Sequence, residues 1–201
     1  MPEEIRNRKM LVVEGSDDVC FFTTVLKKLK IEGVYVSALG SKSRFNEDLP
    51  DIQKRQGFSS LTHLGLIRDK DNDNAFESVK NILQRRMKFE TVPNENGQFA
   101  RGKPNLGILI MPGSGLDGTM LEDLCLETVK IHEAMACVDD FMKCVSTLRN
   151  PPLNPAKSKV QAFLASQPET VSSIGNAAQK GYWNLDSPVL DELKAFLENF
   201  R

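Results

Sequence analysis

Three short apolar runs constrain this chain more than any other feature, because two of them end directly in acidic clusters. Met10-Leu11-Val12-Val13 leads into Glu14-Gly15-Ser16-Asp17-Asp18, and Leu64-Gly65-Leu66-Ile67-Arg68 leads into Asp69-Lys70-Asp71-Asn72-Asp73. The third run, residues 106–111, is apolar throughout, the pattern of a parallel strand covered on both faces. Ligands of open α/β sheets bind at strand ends. Carboxylates gathered there repel one another unless protons, cationic side chains or a metal offset the charge.

The segments between these runs read as helices. Residues 17–31 carry Val19, Phe22, Leu26 and Leu29 at three- and four-residue spacing, with Ser16 or Asp17 as the cap. A second strand is expected at 34–39 and a polar helical segment at 45–56, closed by Gly57. Residues 61–68 form the third strand of this reading, 75–88 a helix and 106–111 the fourth strand. Asn94-Glu95-Asn96-Gly97 reads as a turn within a small hairpin between Phe89 and Phe99. From residue 120 onward only helical patterns follow, at 120–130, 132–148, 156–167, 172–180 and 188–200. The segment Asn150-Pro151-Pro152-Leu153-Asn154-Pro155 breaks them as a hinge or rigid corner. The expected fold class is α/β: a mostly parallel, Rossmann-like sheet flanked by helices, with a helical C-terminal extension. Residues 1–130 would form the α/β domain and 131–201 an extension packed on it as one folding unit.

Composition narrows the function classes. With 40% apolar and 26% charged residues the chain has the makings of a globular core, and a net charge of -1 excludes molecule-wide attraction to nucleic acid. Any such surface is a local patch. No apolar run approaches the roughly 20 residues needed to span a bilayer, and the charged N-terminus has no signal-peptide core, so a cytoplasmic protein with no membrane partner is expected. Cys20, Cys125, Cys137 and Cys144 lack metal-ligand spacing and fall in helical segments, so they are expected to be buried, reduced thiols. His63 and His132 are too few for a histidine-rich zinc or iron site.

Oxygen donors without histidine suit a hard cation, Mg²⁺ or Mn²⁺. Asp69, Asp71 and Asp73 alternate as in an EF-hand, but Asn74 and Lys80 stand where that loop needs glycine and glutamate. In extended chain Asp69 and Asp71 point to one side and can share an ion, while Asp73 suits the cap of the next helix. The bland alternative is a solvated acidic turn, with Asp17 and Asp18 merely favouring a helix N-terminus. Glu14 has no such structural excuse. Gly113, Gly115 and Gly118 match G-x-G-x-x-G, but late in the chain and without a following βαβ unit, so a flexible loop leading to Glu122 and Asp123 is the better reading. A phospho-receiver domain also gathers acids at strand ends, yet the run ending Met111-Pro112 lacks its lysine.

Glu14-Gly15 followed by Asp69-Lys70-Asp71 resembles the Toprim superfamily of topoisomerases, primases and OLD-type nucleases, whose pattern is Glu-Gly after one strand and Asp-x-Asp after a later one. The form E-G-x-x-D, ending at Asp18, is similar to the OLD-nuclease branch, and Glu122-Asp123 resembles that branch's additional acids. Met111-Pro112, Leu121-Glu122-Asp123 and Asn184-Leu185-Asp186-Ser187-Pro188 are similar to a short stand-alone Toprim-like family of unknown function, a likeness that covers nearly the whole chain. Arg68 departs from the pattern, standing where relatives more often carry an apolar residue; it could pair with the acids or touch phosphate.

The resemblance implies Mg²⁺-dependent phosphoryl transfer on DNA or RNA. Glu14, Asp18, Asp69, Asp71, Glu122 and Asp123 would serve as metal ligands, and Lys157 or Lys159 as the cation near the scissile phosphate, so that Glu14, Asp69, Asp71 and Lys157 form the catalytic set. Lys42, Arg44, Arg85, Arg86, Arg101 and Lys103 are candidate phosphate contacts. Tyr182 and Trp183 either stack on a base or pin the last helix to the core. The competing expectation is a non-catalytic module that binds nucleic acid or a protein partner; a small-molecule phosphotransferase is a third.

Overall fold

The computed structural model describes residues 4–40, 45–70 and 74–201. Five strands, β1 (Lys9–Val13), β2 (Val34–Ala38), β3 (His63–Asp69), β4 (Phe99–Ala100) and β5 (Asn105–Met111), form one sheet in the order β2-β1-β3-β5-β4. All neighbours are parallel except the short edge strand β4. The helices are α1 (Ser16–Lys28), α2 (Phe45–Asp48), α3 (Ala75–Asn81), α4 (Leu121–Thr128), α5 (Met135–Ser146), α6 (Pro155–Ala165), α7 (Ile174–Gln179) and α8 (Asp191–Glu198). The α/β reading of the sequence is what the chain adopts.

Alternating side chains of the buried strands divide the core into two layers. Leu11, Val13, Ile67, Leu109 and Met111 face α1 and the helices from α4 onward. Met10, Val12, Leu64, Leu66, Ile108 and Ile110 face α2 and α3. The chain leaves β1 outward to β2, then returns past β1 to β3. That reversal makes the crevice at the carboxyl ends of β1 and β3 a topological switch point, the usual ligand position in open α/β sheets. Glu14 and Asp69 stand on its two sides.

Several local expectations needed correction. The hairpin lies between β4 and β5, with residues 101–104 as its turn, because Phe99 and Ala100 pair with Gly107 and Leu106. The segment after Phe45 stays α-helical for four residues and continues as a 3₁₀ stretch, Leu49–Lys54. Pro50 has no N–H to donate to the Asn46 carbonyl, which accepts instead from Arg86 Nη1. The helix after Ala75 loosens into a π turn at Ile82–Arg86. All four cysteines are on helices and reduced, but only Cys125 is buried; Cys137 and Cys144 are exposed on α5. Trp183 is in the core, stacked 5.3 Å from Phe163 with its Nε1–H donated to the Ile174 carbonyl at 3.0 Å, so it is not available to a base. Tyr182 donates its hydroxyl to the Glu169 carbonyl.

The helical tail is tied into the sheet domain at two places. Phe200 lies over Gly65 of β3, where an added Cβ would stand 2.7 Å from its ring. On the other side α7 crosses α1 so closely that a Cβ at Gly175 would meet Cys20 Cβ at 2.4 Å and the Asp17 carbonyl at 2.7 Å. Gly175→Ala must therefore push two helices apart, and a loss of about 3 kcal/mol is expected, read as a fall of roughly 5–10 °C in thermal midpoint. An unchanged midpoint would show that the crossing is looser than this geometry.

Candidate metal centre

The acids of the first cluster have separate duties. Asp17 accepts the amides of Ile174 and Gly175, both at 2.8 Å, and so caps α7 across the crossing rather than its own helix. Asp18, in the first turn of α1, accepts the Gly15 amide at 2.9 Å. Glu14 continues the parity of Met10 and Val12 and is 9% exposed; its Oε1 accepts the Asp69 amide at 3.3 Å. Asp69 follows the parity of Ile67, on the α1 side, and accepts the Leu121 amide at 3.0 Å from the N-terminus of α4. Glu122 is on that same first turn of α4, with Lys157 Nζ 3.6 Å from its Oε1.

Glu14, Asp18 and Asp69 line one cavity with Arg68, Phe22, Ile67, Met111 and Leu121. Its volume, about 10 Å³, is that of a single water-sized body. The electrostatics of this place are strained in one direction. Burial pushes the Asp69 carboxyl up to about 8, helped by the neighbouring charges of Glu14, Asp18 and Glu122, while the Leu121 amide opposes the rise. Burial likewise raises Asp18 to about 6; Gly15's amide and Lys157 oppose it, and Glu122 and Asp17 add to it. A larger groove of about 1160 Å³ is at the other end of α1, lined by Lys27, Lys28, His132 and Lys180 among others. The charge that needs an answer is at the carboxylates, not there.

Crowded oxygen donors with carboxyls raised in this way fit a hard divalent cation in chemistry and charge. Among the described residues, however, no three acid, histidine or cysteine side chains are already drawn together around one point. Asp71, expected beside Asp69, falls outside the described residues, as do Asp73, Lys42 and Arg44. Asp123 is brought near but engaged otherwise: its Oδ2 accepts the amides of Thr119 at 2.8 Å and Met120 at 3.1 Å, capping α4. Of the two candidate lysines, Lys157 reaches Glu122, whereas Lys159 pairs with Asp139 of α5 at 2.7 Å. Arg101 and Lys103 precede β5 and so lie at the end of the sheet opposite the acids.

Two features of the site are not legible as motifs. Arg68 is 7% exposed, with Nε 3.5 Å from Glu14 Oε1, Nη1 donating to Asn46 Oδ1 at 2.9 Å, and its guanidinium 5.6 Å from the centre of the Phe45 ring. Asn46 is held in turn by Ser78, which accepts from its Nδ2 at 3.2 Å, and by Arg86. Arg68 itself stands out in the sequence, and of its two expected roles the pairing with an acid is the one adopted; for Asn46 the signal is Pro50, four residues on, which leaves the Asn46 carbonyl to a tertiary partner. The second feature is Glu192 of α8, whose carboxylate accepts the Ser114 amide at 2.6 Å and its hydroxyl at 3.2 Å. A carboxylate of the chain itself thus engages the glycine-rich loop, consistent with rejecting a dinucleotide site there.

No curated protein sequence matches the chain. Among solved structures, three of the C-terminal region of the Xanthomonas campestris pv. campestris OLD protein are similar. The one phased with iodine has a TM-score of 0.48 at 10% identity, covering 97% of this chain and 96% of that one. Those phased with mercury and platinum have TM-scores of 0.47 and 0.46 at 10% and 12% identity; they cover 97% and 96% of this chain and 97% and 94% of theirs. A likeness at this level carries no argument about the site. Among family descriptions, "Protein of unknown function (DUF3226)" matches residues 8–201, nearly the whole chain, and the chain belongs to that family.

Proposed function

We propose that this protein is a Toprim-type, divalent-cation-dependent phosphodiesterase acting on nucleic acid. The observation that carries the reading is one cavity at the switch point lined by Glu14, Asp18 and Asp69, where burial and neighbouring charges, Glu122 among them, raise the two aspartates. The order Glu14-Gly15, then Asp69-Lys70-Asp71, adds to it. Glu14, Asp18, Asp69 and Glu122, joined by Asp71, would hold Mg²⁺ or Mn²⁺. When bound, that ion supplies Lewis-acid polarisation of a phosphoryl oxygen and a more acidic water.

The chain's own groups do the rest. The Leu121 amide fixes one oxygen of Asp69, and the Asp69 amide fixes one oxygen of Glu14, so both carboxylates are oriented before any substrate arrives. Lys157, 62% exposed beside Glu122, is free to turn toward a phosphate from the open side. The competing reading, a module that binds without cutting, draws on the Glu14–Arg68 pairing, which already satisfies one of the acids.

The two separate in one series. Calorimetric titration with Mn²⁺ is followed by cleavage assays on single-stranded DNA, duplex DNA and RNA. Divalent-dependent cleavage is expected, falling on the order of 100-fold or more in Asp69→Asn and Glu14→Gln and about tenfold in Lys157→Ala, with Lys159→Ala unchanged. Cleavage undiminished in both carboxylate variants would sink the enzyme reading; metal binding without turnover on any substrate would favour the module.

A further inference from the structure

Arg68 is an unusual group to find in a carboxylate site. A buried guanidinium is tolerated only when its charge is paired and its donors find acceptors, and here the end of β1 and helix α2 both contribute. Glu14 at the end of β1 stands 3.5 Å from Nε, Asn46 of α2 accepts from Nη1 at 2.9 Å, and the Phe45 ring covers the plane at 5.6 Å. Asn46 is itself anchored to Ser78 of α3 and to Arg86. With only 8% of its side chain exposed, Arg68 does not reach an incoming phosphate. Strand parity sends it to the α2–α3 side of the sheet, the side Glu14 shares, while Asp69 faces the α1 side, so the cation meets Glu14 on the face away from Asp69.

Resting on the metal-site reading above, we propose that Arg68 occupies the place of one cation, and that the site takes a single divalent ion rather than a pair. Paired-ion phosphoryl-transfer sites put two dications about 3.5–4 Å apart. A second ion on the Glu14 side would meet the guanidinium as a like charge at close range in a poorly solvated place, where such repulsion is strong. Asn46 is then a positioning residue, since it holds the guanidinium against Glu14.

Mn²⁺ titration by calorimetry, with electron paramagnetic resonance to detect coupled ion pairs, tests this on the full chain. The wild type is expected to bind one Mn²⁺ with an uncoupled spectrum. Arg68→Gln is expected to admit a second ion with the spectrum of a coupled pair, and Arg68→Lys, which keeps the charge, to remain at one. Asn46→Ala removes one hydrogen bond from the guanidinium and keeps its charge, and is expected to admit the second ion about tenfold more weakly than Arg68→Gln. It serves as the readout should Arg68→Gln fail to fold, as judged by circular dichroism. Two ions in the wild type, or one ion in every variant, would overturn the proposal while leaving the metal site intact. No ion in the wild type would overturn both.

Discussion

Metal-free protein carrying Asp69→Asn is expected to be more stable than the wild type above about pH 8, and to lose that advantage below about pH 4. In the folded chain the Asp69 carboxyl is raised from 3.8 to about 8, first by burial and then by Glu14, Asp18 and Glu122. A raised folded value means that the folded state holds a proton the unfolded state has released. Its contribution to stability is therefore fully present below the unfolded value and is lost as pH rises through the folded one. Asp18, raised to about 6, adds the same sign over the lower part of the window. Asparagine removes the charge and keeps an oxygen for the Leu121 amide. The gain above about pH 8 is expected to be on the order of 3 kcal/mol, less than the full shift implies because the acids relax together, or roughly 5–10 °C in thermal midpoint. A divalent ion at a hundredfold excess over its Kd adds about 2.7 kcal/mol to the wild type and should erase most of this difference. Thermal melts of both proteins across pH, with chelator and with Mg²⁺, decide it; parallel curves at all pH values would count against the crowded-carboxylate picture.

Ending the chain at Ser187 is expected to abolish cooperative folding. The lost segment contributes Leu190, Leu193, Phe196, Leu197 and Phe200 to the core, none more than 3% exposed. At about 2 kcal/mol for each buried side chain, their removal amounts to about 10 kcal/mol, comparable with the whole stability of an ordinary domain at about 5–15 kcal/mol. The same cut uncovers the sheet face over Gly65 and releases the loop held by Glu192 at Ser114. The prediction puts the one-folding-unit expectation for residues 1–130 and 131–201 to a direct test. Near-ultraviolet circular dichroism and a thermal melt of residues 1–187 read the result. A sharp, reversible melt would instead mean that the last helix is an appendage.

Much of this architecture is readable residue by residue. The run Leu106 to Met111 announces a strand buried on both faces, and the spacing of Val19, Phe22, Leu26 and Leu29 announces a helix, because periodicity is local. Acids placed immediately after such runs must emerge at strand ends, so Glu14 and Asp69 were visible as candidates. The fate of each acid was not. Asp17, Asp18 and Asp123 look alike in sequence, all near the start of a helix. One caps a helix 157 residues away, one enters the cavity, and one caps its own helix. The exposure of Cys137 and Cys144 was misread for a related reason: α5 is amphipathic, but only Met135 and Val138 find a buried place.

The sequence by itself determined the α/β alternation, the helical second part and the placing of carboxylates at the ends of apolar strands, since each follows from spacing within a few residues. Tertiary structure alone decided which of those carboxylates meet. The return of the chain from β2 past β1 sets Glu14 beside Asp69, and the docking of α4, α6 and α2 brings Glu122, Lys157 and the Asn46-tethered Arg68 to the same crevice. These contacts join elements tens of residues apart, and no local pattern encodes the packing that selects them.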